Sequence, residues 1–161
     1  MTDKKPTNVV ALKPDTKKRI SSTEKIWGKS VISHGYAAIP SILLKSQRRL
    51  GINATQLNLI VQLLEHWYDP SRPPFPTKRQ LADRIGVHPK TIQLNIKALE
   101  KAGYIQRQKQ KTAAGDWGSN IYHLDGLVEK IKALEPEFTQ ARKEKAAITK
   151  KTETPKGRRS S

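Results

Sequence analysis

The run from Pro89 to Lys101 (PKTIQLNIKALEK) carries polar side chains at spacings that matter chemically. On a helix, at about 100° per residue, Ile92, Ile96 and Leu99 fall within about 60° of one another and must face a core. Lys90, Gln93, Leu94, Lys97 and Lys101 fall on the opposite side. Such a face can donate to phosphate or guanine through lysine, pair with an adenine edge through the glutamine amide, and offer Leu94 to a thymine methyl. A second basic group follows in YIQRQKQK, where Arg107, Lys109 and Lys111 share one parity and so one face of a strand. A row of this kind can straddle a polynucleotide backbone or enter a minor groove. An edge strand protected from pairing by lysines has the same pattern. Trp117 sits beside this row between Asp116 and Gly118, and its partner is left open.

Catalytic chemistry finds no comparable support. His34, His66, His88 and His123 lie in different predicted elements, with no pair at metal-ligand spacing and no cysteine anywhere in the chain. Asp69, Asp83, Asp116 and Asp125 are equally dispersed. There is no glycine-rich phosphate loop, nucleophile elbow or paired-carboxylate arrangement. The expectation is a protein that binds rather than catalyses, with no cofactor and no metal.

The elements that must position these groups can be read from turn chemistry and periodicity. Pro40 or Ser41 opens a helix carrying Ile42, Leu43 and Leu44, with Lys45, Arg48 and Arg49 near its end and Gly51 as a stop. Asn53, with Gln56 three residues on, caps a second helix whose apolar stripe is Leu57, Ile60, Val61, Leu64 and Trp67, widened by Leu63 and Tyr68. Prolines 70, 73, 74 and 76 then forbid helix and mark an ordered connection. Thr77 and Gln80 repeat the capping pattern for a third helix ending at Gly86, and Pro89 opens the fourth, which Gly103 closes. YIQRQKQK and NIYHL read as the two strands of a hairpin across TAAGDWGS, with Ile105, Tyr122 and Leu124 touching the core. A last helix after Asp125 spaces Leu127, Ile131, Leu134, Phe138 and Ala141 in a 4-3-4-3 pattern, but Pro136 predicts a break. So few uninterrupted heptads argue against a coiled coil.

Charge marks the flanks. The chain of 161 residues has a formal net charge of +17. Residues 1–30 hold eight basic and three acidic side chains, and residues 139–161 hold eight and two, so the two ends supply +11 of that total. Both ends are poor in large apolar residues and are expected to be disordered alone. The expected organisation is a disordered basic tail over 1–30, a folded domain over 31–138, and a basic extension over 139–161 that is partly helical and then disordered. A surplus this large implies a polyanionic partner. No apolar run approaches the length a membrane-spanning helix needs, and MTDKKPTNVV has no apolar block of the secretory kind. The expected address is cytoplasmic and nucleoid-associated.

The stretch QLADRIGVHPKTIQLNIKALEKAGYI, residues 80–105, resembles the helix-turn-helix pattern. Ala82 stands where two helices cross closely, Gly86 four residues later in the turn, and Ile92 six residues beyond it as an apolar anchor. TIQLNIKALEKAGYI followed by SNIYHL is similar to the recognition helix and wing of bacterial winged helix-turn-helix DNA-binding proteins, in particular those of mobile elements related to plasmid replication initiators. The resemblance covers about residues 35–138. It implies a mainly α fold with a small β-hairpin, binding double-stranded DNA. Lys90, Thr91, Gln93, Leu94, Lys97 and Lys101 would read the major groove, with Thr77, Lys78, Arg79, His88, Arg107, Lys109 and Lys111 on phosphates. The implied role is a sequence-specific transcriptional regulator acting as a homodimer on an inverted repeat. The alternative is a plasmid or phage replication-initiation or partition factor that uses the winged domain to assemble a complex. Two positions depart from the family pattern. His88 replaces the usual Ser or Thr before the proline, and Leu94 replaces a frequent Arg, which shifts base reading towards Lys90, Thr91, Gln93 and Lys97.

Overall fold

The computed structural model describes residues 20–153. Most of the basic stretch 1–30, and the last eight residues of 139–161, lie outside the described residues. Two compact units divide at Tyr36 and Ala37.

In the first unit, Ser22–Trp27 forms α1, with the Ser21 hydroxyl accepting from the Glu24 N–H at 3.1 Å, and Lys29–Ile32 forms α2. Residues 22–30 were expected to lack structure, and a serine cap with an acidic first turn suffices here for a short helix. Neither helix buries a residue.

The second unit carries α3 (Ser41–Lys45), α4 (Ala54–Glu65), α5 (Lys78–Ile85), α6 (Pro89–Lys101), β1 (Gln106–Gln108), β2 (Ile121–His123) and α7 (Asp125–Glu153). α3 is shorter than its composition suggests. Its chain leaves helical geometry at Ser46, so Arg48 and Arg49 sit in the following turn. Both expected capping boxes form. The Asn53 and Thr77 side chains accept from the backbone of Gln56 and Gln80, whose amide oxygens accept in return from the backbone N–H of Asn53 and Thr77.

The core joins α4, α5 and α6 through fully buried Leu59, Ile60, Leu63, Leu81, Ile92, Ile96 and Leu99. Each such side chain contributes about 1.5–3 kcal/mol by leaving water. The buried face of α4 is turned from the expected stripe. Leu59 is wholly buried, Leu57, Leu64 and Trp67 are only partly so, and Tyr68 is exposed. The face of Leu59, Ile60 and Leu63 is the one that meets α5 and α6. Pro74 and Pro76 are buried, and the Pro74 carbonyl accepts from the Tyr122 N–H at 2.8 Å, so the proline-rich connection lies along β2.

The hairpin pairs Gln106 with His123, Arg107 with Tyr122 and Gln108 with Ile121. Tyr104, Ile105, Tyr122 and Leu124 seal the core beneath it, and the Tyr104 hydroxyl donates to the Leu50 carbonyl at 2.5 Å. Beyond it α7 begins at a contact only glycine permits, since a Cβ on Gly126 would stand 2.1 Å from the Gly103 carbonyl oxygen. The same junction is tied by the Leu127 N–H donating to the Tyr104 carbonyl at 2.8 Å.

Pro136 does not break α7, which runs unbroken for 29 residues. An internal proline forfeits one backbone hydrogen bond and costs about 3 kcal/mol. Burial ahead of the proline is the main offset, and the exposed ion pair after it adds little. Leu127 and Leu134 are buried before the proline, and Glu137 directly after it is held by Arg49 through two hydrogen bonds of 2.6 and 2.8 Å.

Candidate nucleic-acid interface

The interface is built on the turn between α5 and α6. Ala82 is 1% exposed, so no larger side chain separates the crossing helices. Gly86 ends α5 in the left-handed conformation at φ 76°, where a β-carbon is disfavoured. The N–H groups of Gly86 and Val87 both donate to the Ala82 carbonyl, at 2.9 and 3.0 Å. His88 then caps α6. Its Nδ1 accepts from the Lys90 N–H at 3.1 Å, leaving Nε2 as the protonated nitrogen, free to donate outward. An imidazole nitrogen here does what a Ser or Thr hydroxyl does elsewhere.

On α6 the inward and outward faces divide as the periodicity predicts. Ile92, Ile96 and Leu99 are buried, while Lys90, Lys97 and Lys101 are exposed and Leu94 is 56% exposed. Thr91 and Gln93 flank this face and are half-buried. The Thr91 carbonyl also accepts from the Asn95 amide at 2.9 Å, which pins that side of the helix. Lys78 and Arg79 are exposed in the first turn of α5. The Thr77 hydroxyl is already engaged as the α5 cap.

The wing differs from its expected form. β1 ends at Gln108, so Arg107, Lys109 and Lys111 do not share one continuous strand face. Arg107 turns back onto the end of α6. Its Nε and Nη2 donate to the Glu100 carboxylate at 2.8 and 2.7 Å, and its backbone N–H donates to the same carboxylate at 3.1 Å. Both side chains are only 25% exposed. Hydrogen bonding to Glu100 pushes the Arg107 guanidinium above its ordinary value, against the opposing effect of burial. Lys109 and Lys111 instead bring their ammonium groups to 5.5 and 5.1 Å from the centre of the Trp117 ring. Glu100 is thus a functional neighbour that sequence reasoning missed. It pairs with Arg107 across the Gly103 turn, where no helical or strand spacing signals a contact. Beneath the hairpin the Tyr122 hydroxyl is buried without a fully formed hydrogen bond, beside the Asn120 amide. Burial pushes its phenol above the ordinary value.

Three helices with a tight glycine turn before the third, followed by an antiparallel hairpin, define a winged helix-turn-helix domain. Residues 50–105 match the family model described as a helix-turn-helix domain. Among solved structures the chain is similar to the N-terminal domain of DnaD protein from Geobacillus kaustophilus, at 23% identity and a TM-score of 0.50 over 73% of this chain and 93% of that one. Two weaker likenesses are to a possible transcriptional regulator from Methanosarcina mazei (17% identity, TM-score 0.41, 63% and 82% covered) and to MepR in the S. aureus MepR–DNA complex (20%, 0.40, 76% and 94%). No curated protein matches the chain. Among the described residues no helix is long and apolar enough to cross a membrane, and no group of three His, Asp or Glu side chains is placed to hold a metal ion.

Proposed function

We propose that this chain binds double-stranded DNA as a sequence-specific transcriptional regulator, laying α6 in the major groove with the wing against the flanking backbone. The observation that carries this reading is the outward face of α6, where Lys90, Leu94, Lys97 and Lys101 are exposed opposite a fully buried apolar face. Among the described residues none of these lysines has an acidic partner, so their charge is available to phosphates or base edges. Lys90, Thr91, Gln93, Leu94 and Lys97 read bases. Lys78, Arg79, His88, Lys101, Lys109 and Lys111 hold phosphates. Arg107, engaged with Glu100, shapes the wing rather than touching DNA, and Thr77 serves through its cap.

The test is selection of bound duplexes from a random library with the full chain. An enriched motif is expected, bound with an affinity that falls steeply with salt as counterions are released. Tight, salt-sensitive binding with no enriched motif would sink the regulator reading. It would leave a role in assembling a replication or partition complex, for which deletion should cause loss of a plasmid carrying the cognate origin.

A further inference from the structure

The wing presents an aromatic ring that neither the core nor the α6 face uses. Trp117 is 68% exposed, yet the backbone around it is fixed. The Thr112 N–H donates to the Asp116 carbonyl at 2.8 Å, and the Gly115 and Gly118 N–H groups donate to the Thr112 and Gln110 carbonyls, each at 2.9 Å. Trp117 also bridges to Lys111 across the hairpin. The ring therefore stands on a closed turn. It forms one wall of a cleft of about 350 Å³ completed by Lys78, Glu100, Arg107, Lys109, Gly118 and Asn120.

The chemistry of this cleft selects its ligand. Glu100 balances Arg107, so the unbalanced charge comes from Lys78 and Lys109, with Lys111 at the ring. The Asn120 amide offers both a donor and an acceptor to a polar edge. A flat, polar-edged ring joined to phosphate satisfies all of these groups, whereas an acidic peptide leaves the indole face without a partner. Bases inside a duplex have both faces covered by their neighbours, so only an unstacked base can lie on the indole.

We infer that Trp117, with Lys109, Lys111 and the adjoining cleft, is a stacking site for an unpaired nucleobase of single-stranded DNA. The inference rests on the DNA-binding reading above and extends it to a second form of DNA, at a ring and cleft that share Lys78, Lys109 and Lys111 with the backbone contacts of the wing. In the free chain the two lysines steady the ring by cation–π contact. When a base takes the ring they pass to its flanking phosphates, and base–aromatic stacking adds affinity without demanding a sequence.

The experiment uses the full chain with three probes: a short oligothymidine, an abasic strand of equal length, and a blunt duplex. Oligothymidine should bind roughly ten-fold tighter than the abasic strand, within the range one or two stacked bases supply. Tryptophan emission should fall as it binds. Trp117→Ala should reduce oligothymidine to the abasic level, Trp117→Phe should keep most of the difference, and neither should alter duplex affinity by more than about two-fold. Trp67, packed against the core, remains in both variants to report that the domain is folded. Equal binding of oligothymidine and the abasic strand would overturn the inference. So would an equal loss on duplex and oligothymidine in Trp117→Ala, which would make the ring a duplex wedge. Oligothymidine binding without any duplex binding would instead remove the major-groove role of α6 and leave the stacking site standing.

Discussion

The outward face of α6 and the wing are both basic, but their charges are held in opposite ways. On α6, Lys90, Lys97 and Lys101 project from a helix whose other face is locked into the core, and among the described residues no carboxylate answers them. On the wing every cation named above is engaged by the molecule itself, Arg107 by Glu100 and the two lysines by Trp117. A count of charges cannot separate these cases. Charge available to a partner is what remains after pairing with carboxylates. The α6 lysines keep theirs on a fixed helix face, Lys109 and Lys111 keep theirs while resting on a neutral ring, and of these cations Arg107 alone is neutralised.

The sharpest way to break this contrast is Arg107→Ala. It leaves the Glu100 carboxylate at 25% exposure without its partner, and stability should fall by about 2 kcal/mol in urea unfolding. Lys97→Ala should stay within about 0.5 kcal/mol of the parent in the same assay. Equal effects would mean that Arg107 is no more structural than a surface lysine. Next in size, Gln93→Ala should relax preference at one base position by about 1–3 kcal/mol, whereas Lys111→Ala should weaken all duplexes alike. Identical specificity profiles for the two variants would erase the division between helix and wing.

Tyr122→Phe should raise stability by up to about 1 kcal/mol, because it removes a buried hydroxyl that lacks a full hydrogen bond. It also has a pH signature. The native phenol lies above its ordinary value of 10.0, so its contribution is complete below that value and is lost as pH rises through the higher native one. Alkaline unfolding should therefore move to higher pH in the variant, and an unchanged midpoint would refute this origin. The smallest effect is expected at acid pH. Arg49 holds the Glu137 carboxyl below its ordinary 4.5, so the contribution of this exposed pair is present above that value and fades as pH falls through the native one. Arg49→Ala should narrow the acid stability range slightly, as read by helical signal against pH.

What the sequence made legible follows from which forces act locally. Ile92, Ile96 and Leu99 were readable because helical periodicity and burial coincide, and Asn53–Gln56 and Thr77–Gln80 because a cap is a contact three residues long. His88 departs from the usual Ser or Thr and still caps α6, because the bond needs only an acceptor at the right reach. The Arg107–Glu100 pair and the lysines around Trp117 were not readable as such, since each depends on how the hairpin folds back over α6. Pro136 misled for the opposite reason. The local rule was sound, but burial of Leu127 and Leu134 ahead of the proline outweighs it.

The Gly126 contact has a mechanical consequence. With no side chain to act as a spacer, the start of α7 rests directly on the backbone at Gly103, just past the end of α6. From that seat α7 continues for 29 residues, a rod of about 43 Å at about 1.5 Å per residue. Buried Leu134 and the Arg49–Glu137 pair hold it well past the seat, so only the stretch after Glu137 projects, about 24 Å at about 1.5 Å per residue. The first half of the helix is therefore part of the domain, and its exposed second half carries basic side chains away from it.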